Sequence, residues 1–558
     1  LKNIHFVEKK GAFALGLGLL WATAALLVNP LGDFPLNDDF SFGRSVYNLT
    51  ELGVLQFDDW LSMTLITQVF WGGAFCKTFG FSFTVLRFST LVIGGIGVLA
   101  FYFSIRQLAR TKWLAFFSAL VFAFNPLFFS LSYTFMSDVP FVSLISVALL
   151  FYLKFFKTEQ LRWLVLASIL AIAAMFVRQL GMLLPMAFAI TWLFKKKWDL
   201  RQLIIGLSPL AVSIFLYAIY MQWFEVTQGI PETFGTFPKL FKRLGDDNFW
   251  GVCSYRIGLL ALYAGLFLLP FNLIIFKKPK NLRMICHSIG WCAIGTWLMW
   301  QGAEKFPYGN ILYNFGLGPK TLKDGYFFIN VQPVLPQEAV RAIALIGLLG
   351  GNLLIVNLVN KISVIKKEES IVQLSSLFAG VCIVIYSGFL MLDVHFFDRY
   401  FIPLFLFAML LLFPNGHSKK VNSGLRGLGF GLLMFTAIFS ISATHDHLSW
   451  NRARWQALDH LMATMKIPPN QIDGGFEFNG WYRPVKEINQ GAFESWWWVD
   501  EENYLVAFGD MGGFDKVEGV PFRTYLPPSV DSVYILKKKG SLTNPVEQKK
   551  QEEREVEK

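Results

Sequence analysis

Seven charged side chains in this sequence are of types that can act together. They are Asp38 and Asp39 in FPLNDDFSFGRSVYNLTELG, Asp138 in FMSDVPF, Arg178 in VRQLG, and Asp393, Asp398 and Arg399 in DVHFFDRYFIP. All border apolar runs. A charge inside a membrane helix costs about 2.5–3.5 kcal/mol on insertion scales, so such groups tend to be paired or used. Carboxylates accept protons, whereas guanidinium groups stay charged and grip phosphate oxygens two at a time. Together they suit a substrate with a negative charge and a proton to give up.

The rest of the chain says where these groups sit. Of 558 residues, 54% are hydrophobic and only 16% charged, and many stretches reach the ~20 apolar residues that cross a ~30 Å hydrocarbon layer. This is the composition of a polytopic membrane protein embedded in a lipid bilayer. A formal charge of +11 would suit nucleic acid, but the Lys and Arg residues cluster between apolar runs as the positive-inside rule requires, so nucleic acid is set aside. The five cysteines are scattered and offer neither a disulfide framework nor a metal-binding spacing.

Lys9 and Lys10 precede an apolar stretch, 12–28, with no small-residue cleavage site after it, so a retained first helix with a cytoplasmic N-terminus is expected. A long first outer loop, 30–83, carries the Asp-Asp pair. Crossings are expected at 84–105, 113–131 and 139–156, with RQLARTKW cytoplasmic and SYTFMSD outside. The run 163–194 would extend roughly 48 Å as one helix, too long for a single crossing. It should break at VRQLG, with Arg178 at the outer tip, and return KKKWDLR to the cytoplasm. Further crossings at 202–221, 251–276, 284–301, 338–360, 371–392, 400–413 and 424–443 make about 13 and place the C-terminus outside. Outer loops 222–250 and 303–337 are long enough to carry function.

From residue 444 the pattern changes. SWNRARWQALDHLMATMK has helical spacing, and YLVAFGD, FRTYL and SVYILKK read as strands. The expected organisation is a transmembrane domain over 1–443, a small extracytoplasmic α/β domain over 444–540, and a disordered polar tail, 541–558. On this topology Asp38, Asp39, Asp138, Arg178, Asp393, Asp398 and Arg399 all reach the outer face.

Four stretches also match a family in order and spacing: NDDFSF followed by a helix ending TELG, then KTFGFSFTVLRF, FNPLFFSLSYTFMSDVPF and DRYFIPLF. The sequence resembles the polyprenyl-phosphate-sugar-dependent glycosyltransferases of the GT-C superfamily, in particular the bacterial branch of protein O-mannosyltransferases and lipid A aminoarabinose transferases. The likeness spans roughly residues 10–443 and leaves the C-terminal module unassigned. It implies a GT-C fold in a bacterial inner membrane and inverting transfer of a sugar from a polyprenyl-phosphate donor. The acceptor would be a glycolipid, glycan or protein outside the membrane. Asp38 and Asp39 would be the catalytic residues, with Asp38 as the base. Arg178, Arg399, Asp138 and Tyr400 would bind substrate, the two arginines at the lipid phosphate, while the lipid tail lies in an apolar groove. The family's Asp-Glu pair is Asp-Asp here, and Phe42 stands where Tyr is usual, which leaves open the role of Asp39 and any divalent metal contact. No cofactor is otherwise implied.

Plainer readings exist for each residue. Asp38 and Asp39 can be solvated, or can cap a helix beginning FSFGRSVYNL; Asp138 can cap the helix it starts; Arg178 and Arg399 can reach for head groups, with Asp393 and Asp398 as partners of Arg399. His445 and His447 lack the further ligands of a zinc site. Trp496 to Trp498 can stack on sugar rings, enter the membrane interface or pack within the module. Asn48 of NLT matches a glycosylation pattern but falls in an expected helix. A transporter or flippase without covalent chemistry is the main rival, although charges gathered at one face and halves without visible repeats argue against it. A silent receptor or scaffold that binds through the C-terminal module is another.

Overall fold

The computed structural model describes residues 11–108, 111–195, 199–231, 233–235, 242–313, 316–331, 335–393, 395–413, 423–483, 498–527 and 530–540. Helix α1 (Ala12–Val28) ends where Asn29 turns left-handed at φ 57°, just before Pro30. The first outer loop then holds α2 (Asp39–Thr50) and α3 (Ile66–Phe79). The sequence patterning does not disclose α3, because its adjacent glycines weaken the helical signal. Packing explains them: a side chain at Gly72 would strike the Phe135 ring.

After α4 (Phe83–Leu108), the expected crossing 113–131 is two helices, α5 (Lys112–Ala123) and α6 (Pro126–Leu131). The Asn125 side chain accepts from the amides of Leu127 and Phe128 at 3.1 and 3.4 Å, and Pro126 needs no amide partner at the first helical position. Helices α7 (Asp138–Thr158) and α8 (Leu161–Met175) follow. The long run breaks where length and charge require: Arg178 is extended, a 3-10 turn covers Gln179–Met182, and α9 (Leu183–Lys195) returns. The carbonyls of Met175 and Ala173, left open by the end of α8, accept from the Thr64 and Thr67 hydroxyls at 2.7 and 2.9 Å. The break is therefore fastened to the start of α3.

Next come α10 (Leu200–Thr227), then α11 (Phe249–Phe267) and α12 (Leu269–Ile275), separated at Pro270, and α13 (Leu282–Ala303). An outer loop follows with the two-residue strands β1 (Leu312–Tyr313) and β2 (Gly316–Leu317) and the one-turn helix α14 (Lys323–Tyr326). Helices α15 (Gln337–Val364) and α16 (Ser370–Leu392) lead to a 3-10 turn at Asp398–Phe401 and α17 (Ile402–Leu412). Glycines let α11 approach its neighbours: a Cβ on Gly258 would lie 1.9 Å from the Leu298 carbonyl oxygen of α13, and one on Gly265 2.1 Å from that of Gly347 in α15. Such small-residue contacts are how membrane helices pack closely.

Helix α18 (Ser423–Asp459) runs unbroken through the expected boundary at 443/444. Its 37 residues extend about 55 Å, longer than the hydrocarbon layer is thick. Its far end forms the floor of the C-terminal module. Among the described residues seven helices are long and apolar enough to cross a membrane: α4, α7, α10, α11, α15, α16 and α18, the last counted to Thr464. Shorter apolar helices cover 12–28, 112–123, 161–175 and 179–194. The chain is a multi-pass membrane protein.

The module adds β3 (Ile472–Asp473), α19 (Phe476–Tyr482), β4 (Tyr504–Ala507), β5 (Phe514–Pro521) and β6 (Ser532–Lys538). Sheet order is β3-β4-β6-β5, with β3 parallel to β4 and the other pairs antiparallel. FRTYL, expected as a strand, is not one. The strand ends at Pro521, and the Tyr525 and Leu526 amides donate to the Asp446 carboxylate at 2.7 and 2.9 Å instead. Edge strand β5 carries Asp515, Lys516 and Glu518 and an irregularity between the last two, features that discourage pairing with another chain. Trp496, Trp497 and the tail 541–558 lie outside the described residues.

Candidate active site

Asp38 occupies the N-cap position of α2, yet its side chain makes no capping bond. Its Oδ1 accepts from the Trp60 indole Nε1 at 3.1 Å, and its Oδ2 lies 3.7 Å from Arg399 Nη2. Asp39, next along the helix, is 2% exposed and turns away, its Oδ2 accepting from the Leu36 amide at 3.3 Å. Helix α2 lies outside the apolar spans, and burial pushes the Asp39 carboxyl up to about 8, because a charge away from water is disfavoured. The two adjacent acids thus have different environments: Asp38 reaches a cation and an indole, while Asp39 is sealed among backbone.

The remaining expected residues gather beside Asp38. Asp138 is the first residue of α7 and pairs with Arg178, Oδ2 to Nη2, at 2.9 Å, while Arg178 Nε donates to Ser137 Oγ at 2.9 Å. Both members of this pair are buried. The Tyr400 ring neighbours both guanidinium groups, 5.3 Å from that of Arg178 and 5.5 Å from that of Arg399. Arg399 Nε is buried with no hydrogen-bond partner among the described residues, so this guanidinium keeps a donor unspent. Residues from the first loop, the α8–α9 break and the turn before α17 therefore converge.

Two expectations need correction. Asp398 makes no close ion pair with the Arg399 guanidinium among the described residues: its carboxylate accepts from the amides of Ile311, at 3.0 Å, and Leu312, at 2.8 Å, pinning the β1 loop. Asp393 accepts from the His395 amide at 3.0 Å, and its carbonyl accepts from Arg243 and Arg256 at 2.7 Å each. The acid facing Arg399 is Asp38. Elsewhere, His445 pairs with Asp446 at 2.9 Å, and no group of three metal-ligating side chains occurs among the described residues.

Several supporting residues are not apparent from sequence patterning. Arg87, fully buried in α4, donates to the carbonyls of Tyr133, Pro30, Gly32 and Phe34 at 2.7–2.9 Å. It ties the chain just before the Asp-Asp pair to the helix α6–α7 connection. A lone arginine within an apolar helix is the signal that points to it. Arg44 pairs with Asp58 and donates to the Gly480 and Trp481 carbonyls at 2.7 Å each. Glu477 of the C-terminal module accepts the Asn37 amide at 3.0 Å on one oxygen, and Thr321 Oγ1 and Arg454 Nη1 at 2.7 Å each on the other. The module thus grips the residue immediately before Asp38. Glu477→Gln keeps the shape but removes the charge; it should lower stability by about 2 kcal/mol, read as a lower thermal midpoint of the detergent-solubilised protein.

A cavity of about 530 Å³ lies between the first outer loop and the end of α10, lined by Gln56, Phe57, Asp58, Asp59, Trp223 and Gln228 among others. A smaller apolar groove of about 350 Å³ lies between α1 and α4, at Leu17, Trp21, Phe88 and Leu91. Asp38, Asp138, Arg178 and Arg399 line neither.

Residues 69–223 match the model of a family described as dolichyl-phosphate-mannose-protein mannosyltransferase. Over those residues the chain is similar to that mannosyltransferase family. That match contains Arg87, Asp138 and Arg178, while Asp38, Trp60, Arg399 and the C-terminal module lie outside it. No curated protein matches the sequence. Among solved structures, ArnT from Cupriavidus metallidurans bound to undecaprenyl phosphate is 15% identical, with 84% of this chain and 85% of that chain covered and a TM-score of 0.39. The S. cerevisiae protein O-mannosyltransferase Pmt1–Pmt2 complex bound to the sugar donor is 16% identical over 43% of this chain and 37% of that one, with a TM-score of 0.34. The archaeal oligosaccharyltransferase AglB from Archaeoglobus fulgidus, in complex with an inhibitory peptide and a dolichol-phosphate, is 14% identical over 87% of this chain and 61% of that one, TM-score 0.36.

Proposed function

We propose that this protein transfers a sugar from a polyprenyl-phosphate donor to a hydroxyl acceptor outside a bacterial inner membrane, with inversion at the anomeric carbon and Asp38 as base. The observation that carries this reading is the setting of Asp38: a partly exposed carboxylate 3.7 Å from Arg399, with a second buried guanidinium, Arg178, against the same Tyr400 ring. The acceptor oxygen forms the new bond to the anomeric carbon while its proton passes to Asp38. The bond from that carbon to phosphate oxygen breaks, and its electron pair leaves on the polyprenyl phosphate. Fixed guanidinium groups aimed at the departing charge are the arrangement that lowers such a barrier, and both can hold phosphate oxygens as a fork. Asp138 keeps Arg178 oriented. Asp39, whose carboxyl burial pushes up to about 8, supports the shape of the loop rather than taking the proton. The donor's tail belongs in the bilayer, which accounts for a membrane-embedded enzyme. The transmembrane region supplies the ionic site, and the module after α18 faces the same side.

The test is a panel of labelled polyprenyl-phosphate sugars supplied to the protein in membranes. The expected result is loss of one donor with release of free polyprenyl phosphate and label on an acceptor. Movement of a lipid or solute across vesicles without any covalent product would establish the transporter reading instead.

A further inference from the structure

One aromatic ring, Trp60, adjoins Asp38, and the C-terminal module packs two more against it. Trp60 donates its indole N–H to Asp38. Its ring meets that of Trp498 edge-on with centroids 5.2 Å apart, and that of Phe476 at 6.2 Å. Phe476 and Trp498 are 5.6 Å apart and close the set. Trp60 and Trp498 are both half-buried. Trp498 also holds a backbone conformation that bulky residues avoid, φ 67°. Such outliers persist where the surroundings enforce them, often at ligand sites. Here Arg483 enforces it, donating to the Trp498 carbonyl at 2.9 Å and to Asp500 at 2.7 Å.

The two oxygens of Asp38 divide the site. One faces Arg399 and the other faces Trp60. In an inverting displacement the leaving phosphate and the attacking hydroxyl lie on opposite sides of the anomeric carbon. With phosphate on the arginine side, the acceptor lies on the tryptophan side. Resting on the proposed glycosyl transfer, we infer that the acceptor is a carbohydrate. Its pyranose ring lays its C–H face on Trp498 and turns its edge to Trp60, whose ring plane stands at 72° to that of Trp498, and one of its hydroxyls comes within reach of Asp38. Aromatic faces suit a sugar ring, whose axial C–H bonds are apolar and whose hydroxyls point sideways. Trp60 then has two duties, and as the donor to Asp38 it is a positioning residue for the base.

The experiment uses the full-length protein in membranes with its labelled donor and two acceptor probes, methyl hexopyranosides and Ser/Thr peptides. Label should appear on the glycosides. Trp498→Ala should raise the glycoside KM about tenfold with the donor KM at its wild-type value, and Trp498→Phe should restore it. Trp60→Phe, which keeps a ring but loses the N–H, should lower kcat more than it raises the glycoside KM. Label on peptide hydroxyls, or a glycoside KM untouched by Trp498→Ala, overturns the inference while donor cleavage still stands. Absence of donor cleavage by the wild-type protein overturns the proposed function itself.

Discussion

Replacing Asp38 with Asn should lower sugar transfer by roughly 10²–10⁴-fold, the range lost when a positioned general base is removed. Asn matches Asp in shape, and its amide oxygen can still accept the Trp60 N–H, now 3.1 Å from Oδ1. The loop therefore keeps its form while the proton loses its destination. The same substitution at the neighbouring position makes the comparison informative. Asp39 is pushed up to about 8 by burial, so at pH 7 it is already mainly uncharged and Asn replaces a neutral group. Asp39→Asn should therefore cost far less, within roughly tenfold. Initial rates with a labelled donor, normalised to protein in the membrane, separate the two variants. Equal losses at both positions would show that the pair acts as one unit, and full activity of Asp38→Asn would remove it from the chemistry.

Much of this site is legible in the sequence because charge in an apolar chain is conspicuous. Arg178 is placed by length and charge together, since 163–194 is too long for one crossing and must turn where VRQLG interrupts it to return KKKWDLR to the cytoplasm. The break at Arg178 between α8 and α9 is that turn. Asp38, Asp138 and Arg399 follow from alternating the faces of successive segments, an argument that needs no contact information. Contacts defeat it. Asp398 is adjacent to Arg399 and looks like its partner, but a 3-10 turn sends the two side chains to different neighbours, Asp398 to backbone amides and Arg399 to Asp38. Trp60 is one aromatic among many, and nothing local marks it as the donor to Asp38. Glu477 and Arg454 lie far along the chain from Asn37, so the hold of the C-terminal module on the Asp-Asp loop is purely tertiary. Composition also shifts gradually along α18, so the change of character at 444 looks like a boundary although one continuous helix carries it.

Arg399→Met should lower kcat by about 10²–10³-fold, the loss seen when one preorganised partner of a developing negative charge is removed. Arg399 is a better probe than Arg178 for a physical reason. Arg178 is the buried partner of Asp138 at 2.9 Å, and removing it strands a buried carboxylate, which by itself costs about 3–5 kcal/mol of stability. A loss of activity there would mix folding with chemistry. Arg399 lies 3.7 Å from Asp38, whose side chain is 23% exposed, so its removal leaves an acid that water can still reach. Methionine also preserves the length that fills the space beside Tyr400 and Phe397, whose rings lie 5.5 and 4.9 Å from the guanidinium. Charge builds on the phosphate only as the sugar departs, so the deficit should appear in kcat and much less in the donor KM. Arg399→Lys should fall between the two, retaining a positive charge but losing the planar fork that meets two phosphate oxygens. A raised donor KM with wild-type kcat would mean that Arg399 holds the donor without stabilising its departure. In that case Arg178, 5.3 Å from the same Tyr400 ring, would have to carry the leaving-group charge alone.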